Sequence, residues 1–331
     1  MLELKTISRT AGGLSLNGFS LAIVAGRPTA IVGLSPAARE AFARLVSGAD
    51  RPQSGEVRLG GELLGKARRR KGVLVRVGSA GIAPTAQTVG RVVGREAAAL
   101  AGLSRELESR LASLSAGQRM KLALAQAALA GAKLVLLEAP TAQLSHEEAD
   151  DIFGVLPGLL APAQGVVVML AATPGEALAL NGDIVVLESG AIIQSGGAGE
   201  VSAFPVSLAS AVATSWPQLN RLGMTAKAGR WLLSDGSRLQ LPEEAPTNLS
   251  GVCTLAFHPE DMALERASEG CIRFVVRAGE TAWGGYLKVF FAGAEWVCPL
   301  AGAPPHAGAL LNVFVDRARL ILFDAGGRPV T

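Results

Sequence analysis

Cysteine, histidine and strong net charge are all scarce in this sequence, and each scarcity removes a class of function. The three cysteines among 331 residues, Cys253, Cys271 and Cys298, lie far apart, with no CxxC pair and no histidine beside them. That pattern argues against a metal centre, so no metal ligand is assigned, and for buried thiols in a reducing compartment. The formal charge is only +3, and the basic residues are scattered except for Lys66, Arg68, Arg69, Arg70 and Lys71. That run could meet a phosphate backbone or an anionic membrane, but it reads first as a solvated loop leading into a strand from Gly72 to Val77. His146, His258 and His306 have no partners visible in the sequence, and none is assigned as ligand or base. The amino terminus, MLELKTISRT, lacks the apolar core of an export signal, so a cytoplasmic location is expected.

A membrane-spanning run is missing as well. Gly154 to Thr173 is uncharged, yet Pro157, Pro162 and Gly165 interrupt it and Val166 to Leu170 is a β-branched run of strand length. The stretch reads as helix end, turn and buried strand. A role at a membrane therefore requires docking on a protein that spans it.

What is present is enough apolar material for two cores: 49% hydrophobic against 18% charged residues. Over roughly the first 200 residues, apolar strand-like runs alternate with helical ones: Pro28 to Val32, Val73 to Val77, Leu134 to Leu137, Val166 to Leu170 and Ile184 to Leu187. Strands apolar on both faces point to a mostly parallel sheet covered by helices. After about Phe204 the texture changes. Pro217 and Leu219-Asn220 read as a link, followed by short strands at Val252 to Phe257, Ile272 to Val276, Tyr286 to Phe291, Leu311 to Val315 and Leu320 to Phe323. About five such strands suggest a small barrel of the oligonucleotide/oligosaccharide-binding (OB) type. They carry no basic and aromatic stripe for stacking bases, so no nucleic acid partner is expected.

The segment richest in chemistry is Leu114-Ser115-Ala116-Gly117-Gln118, with Ser115 and Gln118 spaced as a capping box at the start of an amphipathic helix that ends at Gly131. A strand, Leu134 to Leu137, then Glu138-Ala139-Pro140-Thr141-Ala142-Gln143-Leu144-Ser145 follow. Capping boxes open many unrelated helices. The order of box, helix, strand and Pro-Thr-Ala-Gln-Leu turn, however, resembles the signature motif and Walker B strand of ATP-binding-cassette (ABC) importer ATPases, of the maltose/sugar-transporter type.

The resemblance covers nearly the whole chain. Gly33 to Glu40 takes the phosphate-loop position, and Ala177 to Leu180 with Ile184 to Leu187 and Gly190 looks like the family's last strands. Phe257-His258-Pro259-Glu260-Asp261 and Leu322-Phe323-Asp324 resemble its accessory barrel. The implied fold is an α/β, P-loop NTPase-like cassette over residues 1–203, with a mixed sheet, flanking helices and a helical subdomain shortened between Val89 and Leu114. An OB-like barrel over residues 204–331 would follow.

The phosphate loop departs from the pattern that the chemistry needs. A working loop reads G-x-x-x-x-G-K-S/T, because glycines let backbone amides reach phosphate, lysine pairs its oxygens and the hydroxyl holds magnesium. The same eight positions here read Gly33-Leu34-Ser35-Pro36-Ala37-Ala38-Arg39-Glu40. Pro36 removes a donor and Ala38 adds a Cβ. Arg39 keeps the charge in a bulkier, flat fork. Glu40 places a carboxylate where phosphate and magnesium belong, a repulsion of about 4 kcal/mol per like-charge pair at about 4 Å near a protein surface. An ordinary helix start explains the segment as well, with Ser35 as N-cap and Pro36 first in the helix.

By the same resemblance, Glu138 stands at the magnesium-coordinating position, Ala139 where a glutamate polarises water, and Ala172 at the switch histidine; Gly78 lies near the loop glutamine. A methyl group takes no proton. No aromatic residue near Ser8 to Gly12 could stack on adenine. The resemblance also implies head-to-tail pairing, in which Leu114 to Gln118 would contact a nucleotide held by another chain through helix-start amides left free near Ser115 and Gly117. The expectation is a catalytically impaired subunit on the cytoplasmic face of the membrane. ATP and magnesium would be held mainly by a competent second ATPase, on permease subunits served by an extracytoplasmic solute-binding protein. An atypical active ATPase and a regulatory protein outside transport are the alternatives.

Overall fold

The computed structural model describes residues 1–227, 230–234, 236–239, 251–264, 271–282, 285–300 and 302–330. The chain divides into two compact units, Met1–Ala203 and Phe204–Thr331.

The first unit is organised by a six-stranded sheet in the spatial order Ala191–Gly197, Asp183–Glu188, Thr29–Val32, Val166–Leu170, Leu134–Glu138, Leu74–Val77. The last five are parallel to one another, and Ala191–Gly197 is an antiparallel edge. Every residue of Thr29–Val32, Leu134–Glu138 and Val166–Leu170 is buried, which is why these runs are apolar without alternation. Thr29–Val32 lies between Val166–Leu170 and Asp183–Glu188, both more than a hundred residues later in the chain, because the chain first crosses to the edge strand Leu74–Val77 and then returns strand by strand.

A second, antiparallel sheet, in the order Leu14–Ile23, Leu2–Ala11, Ser54–Leu59, Glu62–Leu63, was not anticipated. Its alternating burial is diluted by Thr, Ser, Arg and Gly, which hides the two-residue period in the sequence. One core joins both sheets through the helix Pro36–Val46, with Phe42 fully buried and its ring edge-on to Phe19 at 6.0 Å. The region between Val89 and Leu114 contains only two short helices, Val89–Val92 and Gly94–Leu100, and two single 3-10 turns.

Several local expectations need correction. The helix His146–Leu160 runs past Pro157 rather than ending there. Leu156, Leu159 and Leu160 are buried on it, and this burial outweighs the lost backbone bond. Ala177 to Leu180 is helical, not a strand, because Pro174–Ala179 is capped by the Thr173 hydroxyl. The basic run is not a loop throughout, since Lys66 lies in the short helix Leu64–Ala67, and the strand that follows begins at Leu74.

The second unit holds two five-stranded antiparallel sheets among its described residues, twice the anticipated strand number. One runs Arg238–Leu239, Arg230–Leu232, Asn220–Lys227, Gly251–Phe257, Ile321–Phe323; the other Met262–Ala263, Leu310–Asp316, Cys271–Thr281, Tyr286–Phe291, Ala294–Pro299. Asn220 was assigned to a link but opens a strand with strict alternation of buried and exposed residues. Its buried side chain acts as an extra peptide group: the amide nitrogen donates to the Val297 carbonyl at 2.8 Å and the amide oxygen accepts from the Val297 N–H at 2.8 Å. Phe257, Phe274, Phe291 and Trp296 cluster in the core between the sheets, with Phe257 and Trp296 edge to face at 5.0 Å.

Asn220→Ala would leave both polar groups of Val297 buried without partners, each costing about 1–3 kcal/mol. Urea denaturation should show a loss on the order of 2–4 kcal/mol in the second unit's transition. Loss of less than about 0.5 kcal/mol would mean that the bridge is not holding the two sheets.

Candidate functional site

Four segments carrying the motif-like residues leave the carboxyl ends of adjacent parallel strands: the loop after Val32, the turn after Val77, Glu138 and its successors, and Ala171 onward. Leu170 pairs with both Ile31 and Glu138, so Gly33 to Glu40, Glu138, Ala139 and Ala172 come to one edge of the sheet.

At the phosphate-loop position the backbone is already committed. Ser35 caps the helix Pro36–Val46: its hydroxyl accepts from the Ala38 N–H at 3.3 Å, and its carbonyl accepts from the Arg39 N–H at 2.8 Å. Gly33 sits at φ +88°, and a Cβ there would lie 1.9 Å from the Leu187 carbonyl oxygen. Its glycine is therefore explained by packing against the strand Asp183–Glu188, without any ligand. The turn between the first two strands covers the helix start, since a Cβ on Gly12 would come within 2.9 Å of the Ala37 carbonyl oxygen.

The charged side chains satisfy one another. Arg76 reaches over from the neighbouring strand and forks onto Glu138, its Nη2 donating to Oε2 at 2.6 Å and its Nε lying against Oε1. The same Nη2 donates to the Glu40 carboxylate at 3.0 Å. Arg39 turns away and donates to the Ala171 carbonyl at 3.3 Å. Burial pushes the Glu138 carboxyl above its ordinary value by more than its contact with Arg76 pulls it down, and Glu40 adds to the rise. Donation to Glu138 raises Arg76 in turn. A magnesium ligand must be an available carboxylate, and this one is already shared with a guanidinium. The residues present do not fit a magnesium triphosphate, because each loop group that should face it has an internal partner or the wrong charge.

Ala139 is buried with φ +44°. A left-handed alanine costs about 1–2 kcal/mol, so the turn after the strand is strained. Ala172 donates its N–H to Glu176 Oε2 at 2.6 Å. Glu176 is wholly buried, and its Oε1 accepts from both the N–H and the hydroxyl of Thr141, each at 2.7 Å. One carboxylate thus fastens the turn after Leu134–Glu138 to the turn after Val166–Leu170.

The signature-like segment has the anticipated local structure: Ser115 and Gln118 form a reciprocal capping box at the start of Ala116–Leu129. The expectation of free amides near Gly117 is corrected. Glu148 Oε1 accepts the Gly117 N–H at 2.9 Å, while Glu148 Oε2 accepts the Ser145 N–H at 3.3 Å in a second capping box. Gln118 N–H is held by Ser115, which leaves Ala116 as the first-turn amide with no acceptor among the described residues. Leu114 contributes its carbonyl to Arg119 at 2.6 Å.

Residues 16–142 match the family model described as ABC transporter. The first unit carries an ABC transporter ATPase domain. The chain is 29% identical over 235 residues to the Fe(3+) ions import ATP-binding protein FbpC of Streptomyces coelicolor, covering 70% of this chain and 65% of that protein. The chain thus spans slightly under two thirds of that relative's length. Its identity to the sulfate/thiosulfate import ATP-binding protein CysA 2 of Chromobacterium violaceum is 26% over 86% of this chain and 82% of that one. Among solved structures, the ADP conformation of an ATP-binding cassette of an ABC transporter superposes with a TM-score of 0.51 at 17% identity, over 62% of this chain and 95% of that one. At that identity the likeness speaks for the cassette fold alone.

Three residues that hold the cassette's edge together escaped sequence reading. Arg76 is the one charged residue in an otherwise apolar strand, a signal that could have found it. Glu148 stands at capping-box spacing from Ser145, a spacing that gives no sign of its contact with Gly117. Glu176 follows Thr173 at capping-box spacing, but its carboxylate goes to Thr141 and Ala172 instead of back to the cap.

Glu176→Ala removes the acceptor from two buried donors of Thr141 and a part-buried one of Ala172 and should cost at least about 2 kcal/mol, read as a lowered denaturation midpoint of the cassette; an unchanged midpoint would contradict the fastening role. For Glu148, acceptance of the Gly117 N–H and then the Ser115 side chain lowers the carboxyl below its ordinary 4.5. Its stabilisation is therefore present above that value and fades as pH falls through the lowered one. The stability gap between wild type and Glu148→Gln should shrink on acidification, and a gap that widens would reverse this assignment.

Proposed function

We propose that this chain is the ATP-binding-cassette subunit of an importer and that its own nucleotide site is catalytically impaired. The observation that carries the reading is the Glu40–Arg76–Glu138 cluster, which neutralises internally the place where a triphosphate and its metal would need a cation and a free carboxylate. The alanine at position 139 agrees with it. Importing is supported by relatives whose printed names are iron(III) and sulfate/thiosulfate import ATP-binding proteins. Another iron(III) importer ATPase, from Streptomyces avermitilis, aligns over 97% of this chain at 27% identity, so the second unit shares in the likeness. An accessory, OB-like barrel is our reading of that unit.

No helix among the described residues is long and apolar enough to cross a membrane. We therefore assign the chain a peripheral place on permease subunits at the cytoplasmic face, served indirectly by a solute-binding protein. The cargo is left to the permease: the Phe257 to Asp261 segment favours a sugar, polyol or glycerol phosphate, whereas the relatives' names carry inorganic ions.

In the same proposal, a second ATPase with an intact phosphate loop holds ATP and magnesium at a shared interface, and this chain offers Ser115, Ala116 and Gly117 to it. Glu148 must then swing off Gly117 before a phosphate can be seated there, because two anions cannot share one N–H. The purified chain should show no saturable magnesium-ATP binding or hydrolysis, with Arg39→Ala indistinguishable from wild type. Turnover that Arg39→Ala abolishes would establish the atypical-ATPase alternative instead. Gentle detergent extraction should co-purify a second cassette containing Gly-Lys-Ser/Thr; recovery with a permease but no second cassette would remove the pairing.

A further inference from the structure

The basic run at Lys66 to Lys71 has no part in the site above, yet the fold gives it a setting. A cleft of about 580 Å³ opens at the carboxyl end of the helix Pro36–Val46, bounded by Ala49 to Pro52, the strand Ser54–Leu59 and the short helix Leu64–Ala67. Its floor is apolar: Leu45, Val57 and Leu64 are buried, and Leu63 is a half-exposed leucine at the rim, 37% accessible. Arg51, Lys66, Arg68 and Arg69 line it, drawn from two separate stretches of sequence.

The charge on this wall is not balanced from within. Asp50 and Glu56 are its two carboxylates, and both are matched by arginines outside the lining. Asp50 pairs with Arg9 and Arg44, each at 2.7 Å, and Glu56 pairs with Arg58 at 2.5 Å. Arg70 points to Glu62 and Lys71 lies off the lining. None of the four lining cations has a side-chain hydrogen bond or ion pair among the described residues. Four unmatched like charges over a low-dielectric floor repel one another and concentrate anions from solution.

Guanidinium forks suit the paired oxygens of a phosphate, and an apolar floor suits the rest of an organic molecule. The volume lies within the range of small-ligand sites, about 300–1,000 Å³. The cleft is also separate from the degenerate phosphate loop. Eleven helical residues, Pro36–Val46, separate the two, a span of roughly 15 Å.

We propose that this cleft binds a small organic molecule bearing a phosphate or pyrophosphate group, held by Arg51, Lys66, Arg68 and Arg69 with its apolar part over Leu63 and the buried floor. The assignment does not depend on how the nucleotide site behaves. Calorimetric titration of the full chain with sodium pyrophosphate in magnesium-free buffer should show saturable one-site binding. The triple variant Arg51→Gln/Arg68→Gln/Arg69→Gln should weaken it by at least about tenfold, the loss of about 1.4 kcal/mol. Lys71→Gln, beside the cleft, and Arg39→Gln, in the phosphate loop, should stay within about twofold of wild type. Arg51, Arg68, Arg69 and Lys71 are exposed, so their variants should keep the wild-type denaturation midpoint. No saturable binding by wild type, equal binding by the triple variant, or loss in Arg39→Gln would each overturn the proposal. Flotation with phosphatidylglycerol vesicles separates a free ligand from a lipid headgroup. The triple variant should float as wild type does, and vesicle binding abolished in that variant would overturn the small-ligand assignment in favour of a membrane.

Discussion

The guanidinium of Arg76 is the interaction on which the character of the candidate site depends. It stands between two carboxylates that would otherwise repel each other, Glu138 at the end of a central strand and Glu40 in the second turn of the helix Pro36–Val46. Without a cation at that point the edge of the sheet would carry two uncompensated negative charges, one of them buried. With it, both carboxylates have a cationic partner and the edge is electrically closed. The cost of burying Glu138 still registers in its raised carboxyl value. The pair is thus a device for neutralising a buried charge and only weakly a source of stability.

Internal partners for turn and helix-start amides recur elsewhere in the cassette. Glu176 gathers the Thr141 and Ala172 amides, Ser35 gathers those of Ala38 and Arg39, and Glu148 takes that of Gly117. Helix starts and strand-to-helix turns expose amides that attract anions. In this chain carboxylates and hydroxyls of neighbouring turns supply the acceptors for these amides. The Gly117 contact differs from the others in being placed on the partly exposed side chain of Glu148, where it can be exchanged for another anion at modest cost.

The sequence alone determined a good deal. Apolar runs, broken in one of them by Arg76, specified the five parallel strands within a residue or two, because a strand buried on both faces leaves little room for polar positions. Ser-Pro, Ser-x-x-Gln and Ser-x-x-Glu specified three helix starts, because capping is a contact between residues three apart and needs no tertiary context. The departures at Arg39, Glu40, Ala139 and Ala172 were equally plain, since each is a matter of which side chain stands at a motif position.

Only the tertiary structure decided where those side chains go. Arg76 meets Glu138 across 62 residues and Glu148 meets Gly117 across 31, contacts that no local pattern encodes. The amino-terminal antiparallel sheet and the doubled strand number of the second unit were likewise hidden, because half-buried strands interrupted by Gly, Ser and Thr lose their two-residue period. Asn220 looked like a linker residue until its amide was found bridging two sheets at Val297. The physical reason is the same throughout: periodicity and capping act over a few residues and are written in order, whereas charge neutralisation and polar satisfaction act through space and are decided when the strands pair.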